Sequence, residues 1–557
     1  MATFNRRLFV KRALAGGLAL TVADFLAYFL RHGLGGSPRL LAMAADRAKD
    51  AAPPRFLIYW FQEGGWMGYD MFNPVVTENN VVRRLTNPSA ERYRVLRFGE
   101  ENYRIQKRGG INYGYLAEEG KELFPWMSVV SSMETGSFHS GERLKAHMGS
   151  YNLRLTAERE EDERSITQAF AEALGQQFLM PNLSWHWWLS DGELNEAQYT
   201  GRRGYYHALG PAHAHTIYAG TPLKLKTFLK RMHAGANDAV NREVRRFLDD
   251  LHTRVLKDED GESIQSYNSA RQIYESMARN GARLDPDLIE RLFADPALHE
   301  EFAVRPEDEL VTYRSINGQK ARSKFSPQVN VQAMMAYELM RAGLSCAFWI
   351  ESRDIRLFDS HFTRGGLWQE GGKRPVGAPD QTQMMRNNLW APLKALVQRL
   401  RNTQYKDTGQ SLFDLTTIVL TSEFGRTIHG DVGAIQQMKI ADDEKRKQID
   451  GQDISQHWKV TSAAFLGGSI SGNTQFGKVG DRTLLPIPIL PSGRLDPAFD
   501  PNSGELIPGR EKNPQSWVPN HGDIYATALH LAGINPKGRG RNDRAPLIFC
   551  RKDARSV

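Results

Sequence analysis

Cysteine is almost absent from this chain. Cys346 and Cys550 are the only two in 557 residues, far apart and differently flanked. A disulfide-built scaffold is therefore excluded, and one bridge between them is the most that could form. Uninterrupted apolar runs are also scarce. The longest apolar region, Ala13 to Leu30, is broken by Gly16, Gly17, Thr21 and Asp24, whereas a spanning helix wants about 20 strongly apolar residues without a buried carboxylate. No internal repeat or long low-complexity tract occurs, which argues against solenoids and extended disorder. Excess charge is small as well. Of the formal net charge of +8, residues 1–44 carry +5, from six Lys/Arg against Asp24. The remaining +3 gives no support for a nucleic-acid partner.

What is present is an ordinary globular composition, 41% hydrophobic with 10% aromatics, in a chain long enough to bury a large core. Its first residues read as an address. Asn5 to Lys11, NRRLFVK, matches a twin-arginine export pattern at both arginines, the phenylalanine and the lysine. Ala42-Met43-Ala44 offers a small-x-small cleavage site. Residues 1–44 are thus expected to be an export signal read by the twin-arginine translocase, delivering the protein to the periplasm or beyond, with an uncleaved membrane anchor as the competing reading. Residues 45–557 are expected to form one α/β domain with a helical insertion near 237–302, where the sequence is dense in charge and helix-formers.

Four short apolar runs read as strands: Phe56 to Phe61, Met127 to Met133, Ala347 to Glu351 and Thr416 to Ser422. Ser462 to Leu466 is a fifth. Helical spacing covers Ser326 to Ala342, closed by Gly343, and Asn388 to Leu400; a last helix from Ile524 to Ala532 has Asp523 as its expected cap. Strand, helix, strand at this spacing predicts a doubly wound, mostly parallel sheet with helices on both faces.

The most informative stretch is Thr416 to Thr427, TTIVLTSEFGRT. A strand apolar on both faces delivers Glu423 to its carboxyl end, where open α/β sheets bind ligands. Either Glu423 and Arg426 pair with each other across the turn, or Glu423 belongs to a site. Other candidates recur after successive strands: Asp70 after the first strand and its Gly64-Gly65 loop, His139 and His147 after the second, Asp359 and His361 after the third, and His457 late in the chain. Carboxylates mixed with imidazoles suit divalent ions. An isolated His147 or His186 is better read as packed. Trp185-His186-Trp187-Trp188 is more often core than a stacking platform; His207, His213 and His215 fit a surface loop; and His521, beside the cap of the last helix, is a candidate to face the site without a spacing argument for it.

These residues bring a family into view. Gly64-Gly65 with Asp70-Met71-Phe72-Asn73-Pro74, then Phe358-Asp359-Ser360-His361, then Glu423-Phe424-Gly425-Arg426-Thr427, then Gln456-His457-Trp458, resemble in order and wording the exported bacterial domain-of-unknown-function family 1501 of the alkaline phosphatase and sulfatase superfamily. The resemblance implies an alkaline-phosphatase-like fold and divalent metal ions, zinc, manganese or calcium, held by Asp70, Asp359, His361, Glu423 and His457. It matches Arg143 to an anion-binding arginine and puts His139 at the nucleophile position, where a histidine could attack directly, ligate metal, or leave the attack to Ser140 or a metal-bound water. The ligand and metal-water roles are favoured because the expected hydroxyl is missing. Arg143 and Arg426 would orient an anionic ester. Phe424 departs from the pattern, standing where the superfamily usually has a histidine ligand. The implied function is hydrolysis of phosphate or sulfate esters. The alternative is a non-catalytic binding or assembly protein of the same fold with an extracytoplasmic protein partner, and carbohydrate binding through the tryptophans is a third class.

Overall fold

In the computed structural model, the structure describes residues 55–62, 64–75, 105–137, 139–149, 165–185, 216–218, 220–235, 284–305, 328–352, 385–426, 457–481, 483–536 and 546–552. The export segment, most of the expected insertion, Asp359, His361 and His186 lie outside them.

Eight strands form one sheet: β1 (Phe56–Gln62), β2 (Met127–Glu134), β3 (Asn182–Ser184), β4 (Thr216–Tyr218), β5 (Ala347–Ser352), β6 (Thr416–Ser422), β7 (Val460–Gly467) and β8 (Thr474–Phe476). Their spatial order is β8-β2-β7-β6-β1-β5-β3-β4. Every pairing is parallel except the two made by β7, which runs against both β2 and β6. This is the mostly parallel α/β sheet that the apolar runs imply. The antiparallel sense of β7 was not readable from its sequence.

β1 and β6 are buried along their whole length, which requires cover on both faces. Helices α1 (His139–Met148), α2 (Ile166–Leu174) and α6 (His521–Leu531) form one group; α4 (Val329–Arg341) and α5 (Ala391–Asn402) form another, and α3 (Pro222–Gly235) packs against the short helix Pro286–Arg291. On β1 the alternation is plain: Tyr59 donates its hydroxyl to the Ala146 carbonyl of α1 at 2.9 Å, and Phe61 meets His147 of the same helix.

Helix ends follow their sequence signals with one correction. Gly343, at φ +66°, closes α4, and the Leu344 N–H returns to the Leu339 carbonyl at 2.9 Å. α6 begins at His521 rather than Ile524, and its cap is Asn520. The Asn520 side chain accepts the Gly522 N–H, while Asp523 reaches back to the Asn520 N–H, each at 2.8 Å. Asp523 is therefore the third-residue partner in a capping box, which moves the helix start forward. Within 284–302 the expected insertion contributes two short helices, Pro286–Arg291 and Pro296–Glu301, each capped by an aspartate before its proline. Cys346 and Cys550 are both buried and free, so the bridge that the sequence left open is not formed.

Candidate functional site

The site grows out of the junction between β1 and β6, neighbours in the sheet whose carboxyl ends lie side by side. After Gln62 the chain turns on Gly64 and Gly65, at φ +106° and +80°, a pair of conformations that only glycine adopts without strain. The turn aims the Gly64 N–H at Glu423, whose Oε1 accepts it at 2.9 Å. Ser422 stitches the same two segments: its hydroxyl donates to the Gln62 carbonyl at 2.6 Å and accepts the Trp66 N–H at 3.1 Å.

Glu423 is completely buried, and a lone carboxylate there would be costly. Its counter-charge is Arg143, on the first half of α1, with Nε 3.6 Å from Oε1. Removing one partner of such a buried pair costs about 3–5 kcal/mol. Arg426 has a different position. Its Nε donates to the Gly64 carbonyl at 3.0 Å and to the Gly65 carbonyl at 3.3 Å, and Nη2 also reaches Gly64. Glu423 and Arg426 therefore meet on the same glycine turn, one on its N–H and the other on its carbonyl.

Phe424, the departure from the family pattern, is fully buried. A Cβ on Gly65 would stand 2.4 Å from its ring, and the His457 imidazole lies 4.4 Å away, tilted by 30°. His457 is placed by its Nδ1, which donates to the Ser137 carbonyl at 2.9 Å from the loop between β2 and α1. That bond assigns the lone pair to Nε2.

The other sequence candidates are more scattered. Asp70 ends the turn Gly68–Asp70 and is buried; its charge lies beside Tyr115, whose hydroxyl pKa is raised well above normal by burial first and by Asp70 second. His139 and Ser140 open α1, with side chains outside the described residues. Among the described residues no three of His, Cys, Asp and Glu stand close enough to cage a metal ion, so Asp70, Glu423 and His457 do not by themselves form a three-ligand cluster. His147 is packed, as read from sequence: its ring stacks on Trp349 at 3.3 Å, and burial, reinforced by Arg143, lowers its pKa well below normal and keeps it neutral. Trp185 is core, donating Nε1–H to the Gly220 carbonyl at 3.0 Å.

One buried acid at this edge escaped the sequence reading, and one histidine that the sequence raised without a spacing argument is placed here. Glu351 lies one residue before the end of β5, as Glu423 lies one residue beyond β6, and it accepts the Trp349 Nε1–H at 3.1 Å. The signal was the same, an acid ending an apolar run. His521 donates from Nε2 to the Glu423 carbonyl at 2.9 Å, and burial lowers its pKa below normal against the opposing pull of Glu142. No local pattern announces a contact between residues 98 positions apart.

No family model matches the sequence, and no curated protein matches it. Similar solved structures are the lipoteichoic acid synthase LtaP from Listeria monocytogenes, with a TM-score of 0.33 at 8% identity, covering 90% of this chain and 76% of that one, and Ps i-CgsB, with a TM-score of 0.34 at 10% identity, covering 89% and 76%.

Proposed function

We propose that this chain is an exported metal-dependent hydrolase of phosphate or sulfate esters, of the alkaline phosphatase and sulfatase kind and related to domain-of-unknown-function family 1501. One observation carries the reading: the buried Glu423–Arg143 pair at the carboxyl end of a central parallel strand, where α/β sheets place their ligands. Arg143 lies near the start of α1, so its guanidinium and the N-terminal N–H groups of that helix are both suited to an anionic ester oxygen. His139 and Ser140 precede it on the same helix; a water activated by the metal is the favoured nucleophile, with His139 as a ligand and direct attack by His139 or Ser140 as the alternatives.

The donor set decides whether a metal fits. Glu423 and His457 supply a carboxylate and an imidazole at this edge, where the described residues alone hold no three-ligand group; Asp70, Asp359 and His361 would be the other ligands. Once bound by these groups, a zinc, manganese or calcium ion would polarise the ester and lower the pKa of an attacking water. Arg143 would balance the charge that develops on the ester oxygens.

The test is metal content of the purified protein, followed by turnover of aryl phosphate and aryl sulfate, with Asp359→Ala and Glu423→Ala as controls. Bound divalent metal and turnover lost in both variants is the expected result. A folded protein that takes up no metal and turns over neither ester in metal-supplemented buffers refutes it. Phe424 favours a second reading: the position after the acid is filled by a packed ring, as suits a non-catalytic binding or assembly protein of this fold, and the same negative outcome would support it.

A further inference from the structure

We propose that His521 is a positioning residue of the Glu423 centre, its Nε2–H holding the main chain from which the Glu423 carboxylate projects; the inference deepens the hydrolase reading and rests on it. Glu423 lies between two ladders and belongs to neither. The last pair of β6 with β1 is Gln62–Ser422, and pairing resumes only at Gly425, with Trp66 and Trp458. Gly64 and Arg143 both act on Oε1, so they fix the carboxylate without fixing its backbone. The bond from His521 to the Glu423 carbonyl, 2.9 Å long, supplies that third hold.

His521 is itself well fixed. Residues 519–521 run as a strap across the carboxyl edge. The Pro519 carbonyl accepts the N–H of Glu134, the last residue of β2, at 2.8 Å, and His521 takes Glu423 just beyond β6. Between these two ends lies the start of the antiparallel β7. The capping box of Asn520 and Asp523 then locks the strap to α6. The tautomer follows from the partners. A carbonyl only accepts, so Nε2 carries the proton, and the buried Nδ1 has no hydrogen-bond partner among the described residues.

The test compares the full-length wild type with His521→Gln, whose amide nitrogen reaches the Nε2 position, and His521→Asn, whose amide stops at the Nδ1 position. Labelling of Glu423 by a carbodiimide, followed by peptide mass spectrometry, reads the hold directly and needs neither metal nor turnover. The expected result is labelling about fivefold faster in His521→Asn and near wild type in His521→Gln. With aryl ester as substrate, His521→Asn should lose about tenfold in kcat with KM little changed, and His521→Gln should restore it. Equal labelling in the two variants overturns the proposal. Should His521→Asn not fold, 15N-histidine NMR of the wild type decides: a proton on Nε2 supports the assignment, and a proton on Nδ1 overturns it. Wild-type protein without metal or turnover refutes the hydrolase reading alone, since the labelling comparison still stands.

Discussion

Replacing Gly65 by alanine should destabilise the protein by about 2–5 kcal/mol, from two separable causes. At φ +80° an L-residue costs about 1–2 kcal/mol. The new methyl would also lie 2.4 and 2.5 Å from two Phe424 ring carbons and 3.2 Å from Arg426 Nε. That ring is fully buried and backed by His457, so it cannot yield cheaply, and overpacking of this kind adds about 1–3 kcal/mol. The two causes part in a double-mutant cycle with Phe424→Ala. The clash vanishes when the ring is removed, whereas the backbone strain stays. Urea unfolding followed by tryptophan fluorescence should give a favourable coupling of about 1–3 kcal/mol between the substitutions. Additivity within about 0.5 kcal/mol would refute the contact, and a Gly65→Ala cost under about 1 kcal/mol would refute both causes.

Stability should fall on acidification through His147. Its folded pKa lies well below the ordinary 6.5, so the unfolded chain takes up the proton first, and the stabilisation present above pH 6.5 is lost as pH drops. One such group contributes a slope of at most about 1.4 kcal/mol per pH unit; His147→Phe should flatten it in urea midpoints measured from pH 7.5 to 5. Glu423→Gln takes the counter-charge from buried Arg143 and should cost about 3 kcal/mol in the same assay; an unchanged midpoint would contradict the pairing. Both thiols should resist Ellman's reagent in the native protein and react on denaturation, because burial raises the Cys346 pKa well above normal and brings Cys550 to about 12. Arg6→Lys with Arg7→Lys should abolish export of a fused reporter if residues 1–44 are a twin-arginine signal; retained export would remove that assignment.

Much of the architecture was legible because its signals are local. Runs such as Phe56 to Phe61 and Thr416 to Ser422 carry no polar alternation, and a strand with two apolar faces has to lie inside a sheet covered on both sides. Gly64-Gly65 and Gly343 announced chain reversals for the same kind of reason, since each needs a backbone conformation that other residues avoid. The direction of β7 was not legible, because a buried strand reads the same whichever way it runs. Nor was the cap of α6, where Asn520 and Asp523 compete on equal local terms and only the reciprocal bonds decide.

By itself, then, the sequence determined that an acid would stand at the end of a buried strand with a glycine turn and arginines to serve it. Which arginine would serve it, and how, was decided only by the tertiary structure. Arg426, three residues away, turns to the Gly64 and Gly65 carbonyls, while Arg143, from a helix 280 positions earlier, takes the carboxylate, and His521 takes its main chain. The reason is physical. Strand ends and glycine turns follow from forces acting within a few residues, whereas the charge partner of a buried acid depends on which segments the sheet order and helix packing bring within hydrogen-bond reach.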